Sequence, residues 1–136
     1  MKATSRLIDQ AGTALLPLYL KKEEIKAYQC PEEDAYDFVV SIGGRFIRIE
    51  LKSINGDSEY PTAGKITKKQ YTSADFIVVY LLDKNQNRFF TIPTKKVPRN
   101  NPIRFTKNND GKIKSKWMKY EGFNHLKKEV NFWLRK

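Results

Sequence analysis

The chain has 136 residues, of which 40% are hydrophobic and 30% are charged, and this balance is typical of one globular domain rather than of a disordered chain. No apolar run approaches the length of about 18 residues that a membrane-spanning helix needs, so we expect no membrane insertion. A single cysteine, Cys30, excludes an internal disulfide and favours a reducing, cytoplasmic setting. Together with the single histidine, His125, it also excludes a zinc site built from Cys and His ligands.

The formal net charge is +11, and the positive excess lies in the last third of the chain. Residues 1–94 contain 13 Lys and Arg against 12 Asp and Glu, a balance of +1, whereas residues 95–136 contain 13 against 3, a balance of +10. A basic segment of this kind is typical of proteins that bind nucleic acid, and less often of proteins that bind anionic membranes. We expect DNA as the partner and no membrane.

The first predicted element is a helix from residue 3 to about residue 29. It carries apolar residues at the spacing of one helix face, namely Leu7, Ala11, Leu15 and Leu18. Pro17 lies inside this helix, and because proline lacks the backbone N–H that the helix needs, we expect a kink or a break there. Residues 31–35 have the composition of a turn.

An alternation of apolar and polar residues then predicts two strands, 36–42 and 45–52, with Gly43-Gly44 between them. Two glycines supply the positive φ angles that a two-residue hairpin turn requires. In such a hairpin the numbers of facing residues sum to 87. A four-residue loop would keep the same register, whereas a three-residue loop would shift it.

The remaining segments alternate between strand, turn and helix patterns. In chain order we predict a loop at 53–64, one or two helical turns at 65–73, a strand at 75–82, a turn at 83–87, a strand at 88–93, a short helical turn at 94–98, an irregular basic stretch at 98–116, and a helix at 119–135. The run at 75–82 is continuously apolar, which favours a central strand buried on both faces. The last helix has one apolar face, formed by Phe123, Leu126, Val130 and Trp133.

The hairpin carries charged residues on the face opposite its apolar residues. The predicted register places Asp37 directly opposite Glu50, with Lys52 on the same face. Like charges in facing positions destabilise a sheet, so folding does not require this arrangement. One explanation is an exposed salt-bridge network of these residues with Arg48. The other is a site for a divalent cation, since Mg²⁺ prefers carboxylate oxygens and retained water.

These residues resemble the signature of the PD-(D/E)xK nuclease superfamily, in which an acid is followed, after a gap, by E-x-K on the next strand. Asp37 takes the first position, and Glu50-Leu51-Lys52 takes the second. The helix before the hairpin, the glycine turn within it and the two later strands are similar to the family as well. The resemblance covers about residues 5–97 and is greatest to small intron-homing endonucleases and archaeal-type Holliday junction resolvases.

The resemblance implies a restriction-endonuclease-like α/β core with a small mixed sheet flanked by helices. It implies a Mg²⁺-dependent DNA endonuclease, with Mn²⁺ able to substitute. In that arrangement Asp37, Glu50 and the Leu51 carbonyl hold the metal. Lys52 acts on the attacking water and on the charge that develops on the phosphate.

The sequence departs from the family pattern at Tyr36, where many members have proline. Many members also place a glutamate on the first helix as an outer metal ligand, and Asp9 is the candidate here. Its alternative role is that of a solvent-facing helix acid. Gln70 is the candidate for a polar residue that positions the water or the phosphate, and its alternative is an ordinary exposed glutamine. We expect no catalytic role for His125.

Basic residues after the hairpin are the predicted phosphate contacts, and they are Lys65, Lys68, Lys69, Arg99, Arg104, Lys107, Lys112, Lys114, Lys116 and Lys119. Three aromatic residues lie among these basic residues, namely Phe105, Trp117 and Tyr120. Their rings suit either stacking on DNA or packing in the core, and we favour packing in the core for Trp117.

We predict a single domain over residues 1–136, with the core at about 5–97 and a basic C-terminal extension at 98–136. One site of this type cuts one strand, so cleavage of a duplex site or a junction requires a homodimer or a higher homo-oligomer. The sequence leaves duplex and branched DNA open as substrates. The alternative from another class is a non-catalytic DNA- or RNA-binding module with an exposed acid–lysine face, and an RNase is a third.

Overall fold

The computed structural model of the protein describes residues 4–31, 36–64, 66–99 and 101–135. Apart from Pro31, the predicted turn at 31–35 lies outside the described residues, as does the predicted phosphate contact Lys65. None of the described helices is both long and apolar enough to cross a membrane.

Three α-helices and nine strands make up the described regular structure, together with two 3₁₀ turns at Thr94–Lys96 and Lys116–Tyr120. The helices are α1 (Ser5–Lys22), α2 (Lys68–Ser73) and α3 (Asn124–Leu134). The strands are β1 (Ala27–Gln29), β2 (Phe38–Ile42), β3 (Arg45–Asn55), β4 (Thr62–Ala63), β5 (Phe76–Asp83), β6 (Gln86–Pro93), β7 (Ile103–Arg104), β8 (Thr106–Lys107) and β9 (Ile113–Lys114).

The main sheet contains five strands in the order β1-β2-β3-β5-β6. Neighbouring strands are antiparallel except for β3 and β5, which run parallel. The crossover between those two carries β4 and α2, as a parallel pair requires a long connection. The predicted α/β class with a small mixed sheet is confirmed.

The hairpin of β2 and β3 has the predicted register, with Phe38 opposite Ile49 and the other facing pairs also summing to 87. Gly43 and Gly44 close it with φ angles of 54° and 80°, which residues with a side chain rarely adopt. This register decides which side chains of the two strands share a face, and so it positions the charged residues.

Two apolar clusters lie on opposite faces of the sheet. On one face α1 and α3 pack against β2 and β3, with Phe38 and Ile49 fully buried. On the other face β5 and β6 pack against residues from the C-terminal third, which contribute Ile103, Phe105, Ile113, Trp117 and Tyr120. Trp117 packs in the core as predicted, and Phe105 and Tyr120 are buried there as well, so of the two alternatives for these rings the structure supports packing in the core.

The first helix is shorter than predicted and is not broken at Pro17. It ends at Lys22, where Glu24 adopts a positive φ of 61° and the Ile25 N–H donates to the Leu20 carbonyl, so the chain turns into β1 instead. Its buried stripe lies one or two positions further along than the predicted stripe, at Ile8, Gly12, Leu16 and Leu20.

Gly12 explains this rotation of the helix. A Cβ atom at this position would lie 2.8 Å from the Ser53 Oγ and 2.9 Å from the Tyr80 ring, so α1 approaches the sheet closely here and only glycine fits. Leu7 and Leu18, two of the predicted core residues, are 51% and 57% exposed as a result.

The C-terminal segment has more regular structure than predicted. Short strands β7, β8 and β9 lie within the stretch that was predicted to be irregular, and β3 extends into the predicted loop as far as Asn55. The last helix begins at Asn124 rather than at residue 119. Its predicted apolar face is confirmed, because its residues pack against the cluster that contains α1.

Candidate active site

Asp37 lies where the pairing of β2 with β3 ends. Its backbone N–H donates to the Ile49 carbonyl at 2.8 Å, and its carboxylate accepts a hydrogen bond from the Leu51 N–H at 2.7 Å. The Asp37 carboxylate thus accepts the hydrogen bond from β3 that a backbone carbonyl would accept if β2 began earlier in the chain. The N–H and C=O of one strand residue point to the same edge, so the Leu51 carbonyl is directed towards this edge too.

Glu50 is 7% exposed, and its carboxyl group lies within hydrogen-bonding reach of the Asp37 carboxyl group. Its Oε1 accepts a hydrogen bond from the Gln70 Nε2 at 2.8 Å and lies 3.8 Å from the Lys52 Nζ. The structure therefore brings four predicted site residues, Asp37, Glu50, Lys52 and Gln70, together with the Leu51 backbone.

Gln70 is held in place by its own helix. Thr67 caps α2, accepting from the Gln70 N–H at 3.1 Å, while the Thr67 N–H donates to the Gln70 Oε1 at 3.1 Å. This capping box uses the side-chain oxygen of Gln70 and leaves its amide nitrogen to donate to Glu50. The pattern T-x-x-Q of a capping box is the sequence signal that links α2 to the site.

The two carboxylates strongly influence each other. Burial, and next the negative charge of Asp37, raise the pKa of Glu50 from its ordinary 4.5 to about 7. Burial also raises the pKa of Asp37, and the Leu51 N–H and the Lys52 charge oppose this rise. Without a cation, the pair consequently retains a proton on Glu50 close to neutral pH.

Asp9 approaches the pair from α1. It lines the same cavity of about 420 Å³ as Asp37, Glu50 and Lys52, and its charge contributes to the raised pKa of Asp37. Among the described residues, however, no group of three or more His, Cys, Asp or Glu side chains is arranged to hold a metal ion. The structure thus brings Asp9 to the cavity without completing a three-acid cluster.

The donor set fits a hard divalent cation. Two carboxylates with raised pKa values and a backbone carbonyl directed to the same edge are oxygen ligands of the kind that Mg²⁺ takes, with water completing its shell. A cation between the carboxylates would also relieve the repulsion that raises the pKa of Glu50.

The explanation by an exposed salt-bridge network is wrong in two respects. Glu50 is buried, and Arg48 does not join the acid pair. Instead, the Arg48 N–H and Nε donate to Asp75 at 2.8 and 3.3 Å. Asp75 follows the predicted helical turns, and sequence reasoning gave no signal for this pairing.

Some predicted phosphate contacts lie beside the acid pair. Lys68 and Lys69 form the first turn of α2, directly before Gln70. The Arg99 guanidinium lies 4.7 Å from the centre of the Tyr71 ring, also on α2. Arg104 pairs with Thr62 in the β4–β7 ribbon, close to Gly64 on the rim of the acid cavity.

Other predicted phosphate contacts lie at the opposite end of β5. Lys112 lines a cavity with Asp83, whereas Glu50 pairs with Ile77. Ile77 and Asp83 are six residues apart along β5, a separation of about 20 Å. Lys107 and Lys114 belong to the same β8–β9 hairpin as Lys112, and Lys116 and Lys119 lie over the Trp117 and Tyr120 rings at 4.9 and 5.3 Å.

The chain has a mixed α/β fold, in which helices flank a five-stranded sheet. Among solved structures, the bacterial homing endonuclease I-Ssp6803I is similar to this chain, with a TM-score of 0.68. The structural alignment covers 98% of this chain and 96% of that chain. The sequences are 13% identical, so the likeness establishes the shared fold. No family model and no curated protein sequence matches the chain.

Proposed function

We propose that the protein is a Mg²⁺-dependent DNA endonuclease that hydrolyses phosphodiester bonds at the Asp37–Glu50 pair. The observation that carries this proposal is the convergence of Asp37, which directly precedes β2, with Glu50 and Lys52 on β3 and Gln70 on α2. A fold shared with a homing endonuclease supports the same conclusion.

Asp37, Glu50 and the Leu51 carbonyl would hold the metal. When bound, Mg²⁺ supplies an electrophilic centre for a phosphate oxygen and lowers the pKa of a coordinated water. Asp37 is oriented by the Leu51 N–H, and Glu50 by the Gln70 amide, so neither carboxylate has to reorganise when DNA arrives.

Lys52 supplies the positive charge next to this pair. Its Nζ lies 3.8 Å from the Glu50 Oε1, and its side chain is 19% exposed, so it faces the cavity rather than bulk solvent. From this position it orients the attacking water and stabilises the negative charge that builds on the phosphate oxygens as the bond to water forms.

We further propose a site in duplex DNA as the substrate, as the homing activity of the structural neighbour suggests. One acid pair cuts one strand, so the active form is a homodimer or a higher homo-oligomer that presents two pairs to the duplex. Lys68 and Lys69 on α2 are placed to contact phosphates beside the cut.

Incubation with four substrates tests the proposal: supercoiled plasmid, linear duplex, a four-way junction and single-stranded RNA, each with Mg²⁺ or with EDTA. The proposal predicts cleavage of DNA that requires Mg²⁺. Preferential cutting of the junction would replace the duplex substrate with a branched one, and cutting of RNA alone would identify an RNase. Binding of nucleic acid without cleavage, and without an effect of Mg²⁺, would identify a non-catalytic binding module.

A further inference from the structure

One face of the β1–β2–β3 part of the sheet is open. Helices α1 and α3 pack on the opposite face, where Phe38 and Ile49 are buried. The strand register arranges the side chains of the open face in two rows across the strands, with Tyr28, Val39 and Arg48 in one row and Ser41 and Phe46 in the other. Lys26 precedes β1, and its side chain lies against the Tyr28 ring.

Large aromatic side chains lie on this open face. Phe46 is 55% exposed and Tyr28 is 48% exposed, with the Lys26 Nζ 5.3 Å from the centre of the Tyr28 ring. The solvent face of an antiparallel sheet normally carries polar residues, so packing within the chain gives no reason for two aromatic rings here.

The open face continues directly into the acid pair. Glu50 lies two residues beyond Arg48 on β3, and Asp37 directly precedes β2 beside it. Rows two residues apart are separated by about 7 Å, so the row that contains Phe46 lies about 13 Å from the carboxylates. A DNA strand whose phosphate lies at the acid pair would therefore pass beside this face or over it.

The charges of the face suit DNA. Lys26 and Arg48 are both exposed, and Arg48 retains 44% exposure of its side chain although its Nε bonds Asp75. A two-stranded β-ribbon also fits the major groove, which is about 12 Å wide. The tip of the β2–β3 hairpin is such a ribbon, because β1 pairs with β2 only as far as Val40 and β5 pairs with β3 only from Ile49 onward, and the glycine turn is exposed.

The size of the face argues against a second copy of the chain as the occupant. Three strands about 4.8 Å apart and two rows of side chains enclose an area on the order of 100–200 Å². A stable dimer buries about 800 Å² on each partner. DNA needs no further area on this face, because its contact surface continues across the acid pair to α2.

We propose that this open hairpin face is the surface on which the duplex flanking the scissile phosphate lies. Lys26 and Arg48 contact phosphates, and Tyr28 and Phe46 pack against sugars and base edges. The inference rests on the proposed function, since it assigns the DNA path at the same site.

A matched pair of variants tests the inference. The face variant carries Lys26→Gln, Tyr28→Ser and Phe46→Ser. The control variant also loses one cation and two exposed apolar side chains, but on α1 and α3, through Lys21→Gln, Leu18→Ser and Leu134→Ser. Circular dichroism confirms that both variants fold.

The assay is fluorescence anisotropy of a labelled 30-base-pair duplex of mixed sequence, titrated in EDTA at several salt concentrations. We expect the face variant to bind about tenfold more weakly than the control, with a salt slope shallower by about 0.9 because one phosphate contact is lost. Equal affinities and slopes for the two variants would overturn the inference.

Photocrosslinking gives a second readout that does not depend on affinity. Benzoylphenylalanine replaces Phe46 in one protein and Leu134 in another, and each is irradiated with the same duplex. The inference predicts a DNA adduct from position 46 and none from position 134. An adduct between two protein chains at position 46, or no DNA adduct while the unmodified protein binds, would overturn it.

The two proposals fail differently. If the unmodified protein binds and cuts duplex DNA in Mg²⁺ while the face variant matches the control, only the inference about the hairpin face is wrong. If the unmodified protein neither binds nor cuts the duplex, the proposed function is wrong, and the inference falls with it.

Discussion

Replacement of Glu50 by glutamine should stabilise the metal-free protein at and above neutral pH. The change removes one negative charge from a buried pair of carboxyl groups while keeping an oxygen that can accept the hydrogen bond from the Gln70 amide. In the native protein the pKa of Glu50 is about 7 in the folded state, against an ordinary value of 4.5. The folded state therefore binds this proton more tightly than the unfolded state does.

This difference makes the stability of the metal-free protein decrease as pH rises. Below about pH 4.5 the Glu50 carboxyl group is protonated in both the folded and the unfolded state, so it does not lower the free energy of unfolding. Between about pH 4.5 and 7 the unfolded state loses the proton first, and the folded state becomes progressively less stable. At 1.36 kcal/mol for each pH unit, the loss reaches at most about 3 kcal/mol at pH 8.

Urea denaturation in EDTA between pH 5 and 8.5 measures this loss. The wild-type free energy of unfolding should fall across the range, while that of Glu50→Gln should change much less. Glu59→Gln is a matched control, because Glu59 is exposed and outside the site. Profiles of wild type and Glu50→Gln that run parallel would show that Glu50 does not carry the raised pKa.

Addition of MgCl₂ at pH 8 extends the same experiment. A cation held by both carboxylates should restore stability to the wild type, by about 2.7 kcal/mol at a concentration one hundred times the dissociation constant. Glu50→Gln should gain little, because one ligand is missing. Equal gains in both proteins would show that Mg²⁺ binds elsewhere.

Further variants test other parts of the site. Gln70→Ala removes the capping box and the bond to Glu50, so we expect a loss of about 1–2 kcal/mol in urea denaturation, together with slower DNA cleavage; an unchanged cleavage rate would contradict a role at the site. Arg88→Met leaves Asp83 and Glu121 without their ion-pair partner, so a loss of about 2–4 kcal/mol is expected by the same method, and full stability would contradict it. A third variant replaces four lysines of the C-terminal third by glutamine, namely Lys112, Lys114, Lys116 and Lys119. The slope of duplex affinity against salt should become shallower by up to about 3.6, and an unchanged slope in the folded variant would exclude these lysines from the DNA path.

The sequence was sufficient to predict the hairpin and the acid pair. Period-two alternation on both sides of Gly43-Gly44 favours the register that buries the apolar face, and that register brings Asp37 beside Glu50 where the pairing of β2 with β3 ends. A local pattern thus determined a contact across two strands.

Contacts between distant segments could not be predicted in this way. The face that α1 buries depends on the close approach of Gly12 to Ser53 and Tyr80, which no helical periodicity encodes. Arg48 pairs with Asp75 only because β3 lies beside β5. Both contacts are set by the topology of the sheet rather than by neighbouring residues.

The positions of the basic residues in the structure could not be predicted from the sequence either. The net charge of the C-terminal third indicated a nucleic-acid partner, but charge counting does not locate the charges in space. Lys68 lies beside the acid pair, while Lys112 lies about 20 Å away along β5. The exposure of Phe46 on the open face likewise depends on which face the helices cover.

The most direct test of the account is nicking of supercoiled plasmid by wild type, Glu50→Gln and Lys52→Ala, with DNA binding measured on the same preparations. We expect the wild type to cut the plasmid in Mg²⁺ and not in EDTA. Both variants should bind DNA and fail to cut it, and Glu50→Gln should bind at least as tightly as the wild type, because it carries one negative charge fewer near the phosphates. Cutting by Glu50→Gln at the wild-type rate, or cutting by the wild type in EDTA, would contradict catalysis by a metal held at the Asp37–Glu50 pair.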